Sequence, residues 1–283
     1  MGLEDNAGDI LGKAAVGTGL GCAGLAERLG VAKDEVASAL EALEADEPGR
    51  VADGFLRAAA EALGLDAGAL VGIARGRHCP EVDLPPWVGC VVSRHGGMEV
   101  NAWVVAPPGG GGVLVFDTGV DGAALVDKVR SMVAGGAGLA AVFFTHNHAD
   151  HILGLADLRE AFPEVPVFAP AKDAVVGASA LPEGDDVDVA VGSTTVRCLA
   201  TPGHTVGSTS FFLAGVSPPV CVSGDALFAG SIGGPRFSYA AALAALAERV
   251  LPLPGETLIL PGHGPPTTLS LEISGNPFLV GRQ

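Results

Sequence analysis

Apolar positions recur with a helical spacing over the first quarter of the chain and with a strand-like texture over the rest. Leu25 and Leu29 share one helical face, Val36, Leu40 and Leu43 another, and Leu56, Ala60 and Leu63 a third. Asp66 sits where an N-cap would open a further helix bearing Leu70 and Ile73. Residues 1–76 therefore read as a small all-helical domain. Residues 77–88, RHCPEVDLPP followed by Trp87 and Val88, break the periodicity with three prolines and read as a linker. From 89 to 283 short β-branched runs take over: GCVVSR, EVNAWVVA, GVLVF, LAAVFF, VPVFAP, TVRCLA, STSFFL, VCVSG and TLIL. Helical segments are expected near 121–134, 152–162 and 239–250. The first strands come in hairpin order, which predicts an α/β sandwich instead of a strict βαβ repeat. PPGGGG at 107–112 lies between two strands and reads as a hairpin turn, since a phosphate-cradling loop would open a helix.

Composition narrows this picture. With 48% hydrophobic but only 5% aromatic residues, the core must be built from Ala, Val and Leu. The formal charge of −16 makes a polyanion a poor partner, so DNA binding is not expected. The five cysteines are scattered without any C-x-x-C spacing and read as reduced thiols. Glu4, Asp5 and Asp9 leave no room for a signal-peptide apolar core, and no stretch is long enough to span a membrane. A cytoplasmic protein is expected.

The strongest chemical signal is Thr145-His146-Asn147-His148-Ala149-Asp150-His151, which follows the apolar run Leu139–Phe144. On an extended segment His146 and His148 face the same way, because side chains alternate with period two. Asp150 and His151 come as the chain turns into a helix and can face a second point, so the cluster can serve two metal ions. His204 in TPGHT, Asp225 in SGD and His263 in PGHG each follow an apolar strand and lie beside glycine. Ligands at the ends of several strands gather on one rim.

THNHADH, TPGHT, SGDALFAGSIGG and LPGHGPPTT, with the upstream FDTG and the late Asn276-Pro277-Phe278, resemble the metallo-β-lactamase superfamily, and within it the glyoxalase II-like (hydroxyacylglutathione hydrolase-like) branch. The resemblance spans about residues 90–280 and implies an αββα sandwich with metals at one edge. It implies that His146, His148 and His204 bind one metal, that Asp150, His151 and His263 bind another, and that Asp225 bridges them. Asp117, Thr145 and Thr205 are expected to orient the ligand loops. Mixed imidazole and carboxylate donors suit two divalent ions, Zn²⁺ first, with Fe or Mn as alternatives, and disfavour Ca²⁺ or Mg²⁺. Two such ions lower the pKa of a shared water toward ~7 and stabilise the oxyanion. The expected activity is hydrolysis of a small thioester or ester by a metal-bound hydroxide, with Asp150 and Asp225 as the catalytic carboxylates.

Two features depart from the branch. Only 20 residues follow His263, fewer than the helical domain that grips glutathione in that family, and GSIG continues as Gly-Pro-Arg236. Both argue for a small substrate, with Arg236 and Tyr239 as the candidate contacts. The alternative of the same fold is a mononuclear iron dioxygenase acting on a persulfide through His146, His204 and Asp225. His78 and His95 belong to no motif and read as linker and strand-edge residues, and Cys221 as packing. Finally, Leu25–Leu40, with a tight turn at Gly30, resembles a lambda-repressor-like helix-turn-helix. Through Arg77 the segment carries seven basic and thirteen acidic residues, a net of −6, and its would-be recognition helix opens on Lys33, Asp34 and Glu35. A docking or homodimerisation role is expected in place of DNA binding.

Overall fold

The computed structural model describes residues 2–133, 138–182 and 186–281. Position 1 of the helical segment, 134 of the expected central helix and the final 282–283 lie outside the described residues. Two six-stranded sheets face one another. The first runs in sequence order: β1 (Val88–His95), β2 (Met98–Val105), β3 (Val113–Phe116), β4 (Leu139–Phe143), β5 (Val167–Ala169) and β6 (Ser179–Ala180). Its hairpin β1–β2–β3 is antiparallel, and β3 to β6 are parallel. The second sheet runs β12 (Thr267–Thr268), β11 (Leu258–Pro261), β10 (Val220–Gly224), β9 (Thr209–Leu213), β8 (Thr194–Ala200) and β7 (Asp186–Val191).

The strand alternation divides the apolar residues among three cores. In β3, Leu114 and Phe116 point between the sheets while Val113 and Val115 point outward; in β10, Val220 and Val222 point inward while Cys221 points outward. Burial on both faces explains why these strands read as continuous apolar runs. The outer face of the first sheet is covered by α6 (Gly122–Val133) and by two short helices, α7 (Ala149–Ile152) and α8 (Leu155–Ala161), that replace the single helix expected at 152–162.

The outer face of the second sheet is covered by α1 (Ala7–Thr18), α2 (Cys22–Leu29), α3 (Lys33–Glu44), α4 (Asp53–Ala62) and α5 (Ala67–Ala74), together with α9 (Tyr239–Ala245) and α10 (Leu269–Gly275). Leu11, Leu25 and Leu56 share one cluster with Cys221, Ile259 and Phe278, so the N-terminal helices and the sheet bury each other. The fold is thus an αββα sandwich whose second helical layer comes largely from the N-terminal segment. α1, not separately marked by periodicity, is closed by a capping box in which Asn6 accepts from Gly8 N and Asp9 N while Asp9 accepts from Asn6 N. Asp66 caps α5 by accepting from Ala69 N at 2.7 Å. The turn from α2 to α3 passes through Gly30 at φ +67°. No helix is long and apolar enough to cross a membrane among the described residues.

Candidate metal centre

All seven predicted ligands meet at one end of the sandwich. β4 delivers Thr145 and His146, and His148 forms the N-cap of α7, which carries Asp150 and His151. His204 comes from the β8–β9 loop, Asp225 follows β10 and His263 follows β11. The loops are tied to one another through their backbones: Thr209 N donates to Thr145 O at 2.9 Å, and Gly262 N donates to Gly224 O at 2.9 Å. Three groups have ligand atoms within 4.8 Å of one another: His146, His148 and His204; His146, His151 and Asp225; Asp150, His151 and His263. His148 Nδ1 lies 3.0 Å from His146 Nε2 and 2.9 Å from His204 Nε2. Asp225 Oδ2 stands 3.3 Å from His204 Nε2 and 3.5 Å from His263 Nε2, between the two outer groups. Asp150 Oδ2 lies 3.5 Å from His263 Nε2 and 3.8 Å from His151 Nε2.

The ring orientations are fixed from behind. His151 Nδ1 bonds Asp117 Oδ2 at 2.8 Å, His204 Nδ1 bonds Gly234 O at 2.7 Å, and His263 Nδ1 bonds Glu99 O at 2.5 Å. Thr145 Oγ1 donates to Asp117 Oδ2 at 2.9 Å and accepts from His146 Nδ1 at 3.0 Å. With Nδ1 as the donor in these four rings, each Nε2 turns a lone pair toward the centre, whereas His148 presents Nδ1. Asp117, at φ +56°, also accepts from Thr145 N at 2.8 Å. Among the described residues the Thr205 hydroxyl hydrogen-bonds no imidazole; it is fastened to Asp173 and Ser208 and so holds the His204 loop.

The donor set fits divalent cations. His151 Nε2 and Asp225 Oδ1 are buried, have no hydrogen-bond partner and lie 3.4 Å apart. Leaving such atoms unsatisfied costs about 1–3 kcal/mol each, which a cation between them would offset. Burial pushes His146, His148 and His204 below the usual imidazole value, so they are neutral donors at pH 7. Burial acts the same way on His151 and His263, but Asp225 outweighs it, helped by Asp117 at His151, and His263 is raised to about 9. Burial also opposes ionisation of Asp225, yet His151, His263 and His146 hold it well below the carboxylate range.

Arg236 is exposed beside the His148–His204 side, where its charge acts on both rings. Tyr239 corrects the expectation placed on it. Its ring is packed in the outer core, where a Cβ at Gly17 of α1 would lie 2.2 Å from Tyr239 Cγ, and it meets Phe278 edge-on at 6.3 Å. The segment after Asp225 suggested that it could reach substrate, but α1 covers it. His78, expected as a linker residue, lies 3.3 Å from the buried carboxylate of Glu272.

Two supporting residues were missed in the sequence. Asn101 Nδ2 donates to Pro261 O at 3.0 Å and Gly264 O at 2.9 Å, which fixes the turn carrying His263. Glu272 accepts from Gly230 N and Thr267 Oγ1, each at 2.8 Å, and from Asn276 Nδ2 at 2.9 Å, which pins the turn after Asp225. A hydrophilic residue inside an apolar strand is the one hint that Asn101 offered.

The sequence profile described as the metallo-beta-lactamase superfamily matches residues 95–263. The chain is 36% identical over 123 residues to a hydroxyacylglutathione hydrolase of Yersinia enterocolitica, covering 44% of this chain and 47% of that protein. It therefore spans about half the length of that curated relative. It is 31% identical to the probable metallo-hydrolase YqgX of Bacillus subtilis, covering 59% of this chain and 87% of the relative. Among solved structures, TTHA1623 in a di-iron-bound form superposes with a TM-score of 0.55 at 30% identity, covering 67% of this chain and all of the other.

Proposed function

The chain belongs to the metallo-beta-lactamase superfamily, in its glyoxalase II-like branch, and from that premise we propose that it is a binuclear hydrolase of small thioesters or esters. The observation that carries this reading is Asp225, whose Oδ2 stands 3.3 Å from His204 and 3.5 Å from His263, at the junction of two ligand groups. His146, His148 and His204 would hold one ion; Asp150, His151 and His263 would hold the other. When bound, such ions acidify a water molecule and polarise the scissile carbonyl. Zn²⁺, Fe and Mn all suit this donor set.

The protein's own part is orientation and proton handling. Asp117 and the carbonyls of Gly234 and Glu99 keep the Nδ1 protons off the side that faces the centre. Asp225, only 6% exposed, stays ionised among the imidazoles, while Asp150, at 14%, is the carboxylate nearer solvent and would be the one placed to accept a proton from a bound water. Cys90, Cys198 and Cys221 are poor nucleophiles, because burial pushes their thiols up to about 12. The alternative, a single-iron persulfide dioxygenase using His146, His204 and Asp225, leaves the convergence of Asp150, His151 and His263 without a purpose.

The test is elemental analysis of the purified chain together with a thioester, ester and lactone panel on Zn-, Mn- and Fe-loaded protein. Two metals per chain and hydrolysis without oxygen uptake are expected. One iron per chain with persulfide-dependent oxygen consumption would overturn the reading.

A further inference from the structure

The N-terminal segment precedes the region that matches the family, residues 95–263, yet it reaches the metal centre. Gly264, next to His263, is left-handed at φ +73°, and a Cβ there would lie 3.1 Å from Glu4 N and 3.2 Å from Glu4 Cβ. Residue 4 is therefore seated on the His263 turn. Lys13 of α1 secures that seat. It pairs with Asp5, donates to Ile232 O at 2.8 Å and lies 5.2 Å from the centroid of Phe228, whose ring meets His263 edge-on at 5.7 Å.

Lys13 pairs with Asp5 and not with Glu4. The half-buried carboxylate of Glu4 makes no hydrogen bond or ion pair among the described residues, and it acts electrostatically on His263 and Asp225. The opposite end of the ligand cluster has the opposite charge. Arg236 N donates to Gly234 O at 2.8 Å, the same carbonyl that holds His204 Nδ1, so Arg236 is anchored beside His204. Its guanidinium likewise makes no hydrogen bond or ion pair among the described residues.

We propose that Glu4 and Arg236 are specificity-determining residues that give the surroundings of the metal centre two poles, so that it selects a dipolar ester or thioester with its anionic group beside Arg236 and an ammonium group beside Glu4. In a chain of net charge −16 an anion is repelled over most of the surface, and Arg236 is a cation beside this cluster that can receive one. A half-buried carboxylate without a partner is stabilised by a cationic group brought to it. The bond to be cut rests on the hydrolase reading; the polarity does not.

The test therefore uses binding. The full chain loaded with Co²⁺ is titrated with 2-mercaptoethylamine, mercaptoacetate and neutral 2-mercaptoethanol, with thiol binding read from the cobalt visible spectrum. Relative to the neutral thiol, Glu4→Gln should weaken the amine about fivefold or more and leave mercaptoacetate unchanged or tighter; Arg236→Gln should do the reverse. Parallel changes for both charged thiols, or no change, in either variant overturn the proposal. Glu4→Ala serves if Glu4→Gln fails to load cobalt. A crossed pattern from protein that hydrolyses no ester or thioester sinks the hydrolase reading while leaving the polarity standing.

Discussion

Asp117→Asn isolates the tautomer argument on which the metal centre depends. The wild-type carboxylate is buried and accepts three bonds: Oδ1 from Thr145 N at 2.8 Å, and Oδ2 from Thr145 Oγ1 at 2.9 Å and His151 Nδ1 at 2.8 Å. Asn is almost isosteric and tolerates the left-handed backbone at φ +56°, so the substitution changes little except the donor count. Its oxygen must face Thr145 N, because an amide NH₂ there would oppose a backbone donor that cannot turn away. The NH₂ then faces Thr145 Oγ1 and His151 Nδ1. His151 must accept at Nδ1, which moves its proton to Nε2, the atom aimed at the centre. Thr145 Oγ1 becomes an acceptor and turns its proton to His146 Nδ1, which drives the same exchange there. Two imidazoles then present protons where lone pairs are needed. Changes of this kind cost about 10- to 100-fold in metal affinity, or at least ~1.4 kcal/mol. The fold itself should lose about 1–3 kcal/mol from imperfectly matched donors, a few degrees in Tm for a chain of this size. Chelator competition on wild type and Asp117→Asn measures the affinity directly. Two metals held within twofold of wild-type affinity would refute the reasoning.

Asp225→Ala should lower metal content at both positions, whereas His263→Ala should lose mainly one ion; elemental analysis finding two metals retained by Asp225→Ala would contradict the bridging position. In the metal-free chain His263 is raised from 6.5 to about 9, burial opposing and Asp225 prevailing. A raised pKa gives stability that is fully present below the unfolded value, here 6.5, and lost as pH rises through 9, so metal-free melting temperatures should fall across that window while metal affinity, which needs the neutral ring, should rise. Metal-free melts that climb between those pH values would count against it. Gly17→Leu must displace the Tyr239 ring, which its Cβ would approach to 2.2 Å, and should lower Tm by several degrees; an unchanged melt would show that α1 does not pack where the structure has it. The full chain should bind duplex DNA no better than a generic acidic protein, and a sequence-specific complex at tens of nanomolar in physiological salt would overturn that expectation.

The ligand set was legible because a metal centre of this kind uses residue types that are scarce elsewhere, placed at strand ends. His146, His148, Asp150 and His151 fall within six positions of a chain with seven histidines. Asp117 was legible only through the family resemblance. Asn101 and Glu272 were not legible, because each holds a backbone group far along the chain, Pro261 O for Asn101 and Gly230 N for Glu272, and such pairing leaves no local pattern. The strand β7 was passed over for another reason. Asp186-Val187-Asp188-Val189 alternates as an edge strand should, but it lacks the apolar run by which the buried strands were found.

The N-terminal helices show why pattern reading assigned them as a unit and still missed their consequence. Each helix has one apolar face, and periodicity reports that face without saying what covers it. The complement is the outward set of the second sheet, Phe212, Cys221 and Ile259, which alternates with the inward set and so is invisible as a separate surface in the sequence. Once that face is buried by α1 to α5, the chain leading into α1 has to pass the end of β11, where Gly264 leaves room for Glu4. A helical layer that satisfies the sheet thus also seats residue 4 on the His263 turn. Tyr239 is the counterpart on the same layer: the packing that brings Glu4 to the centre withdraws Tyr239 beneath Gly17, so the same helices supply one candidate substrate contact and remove another.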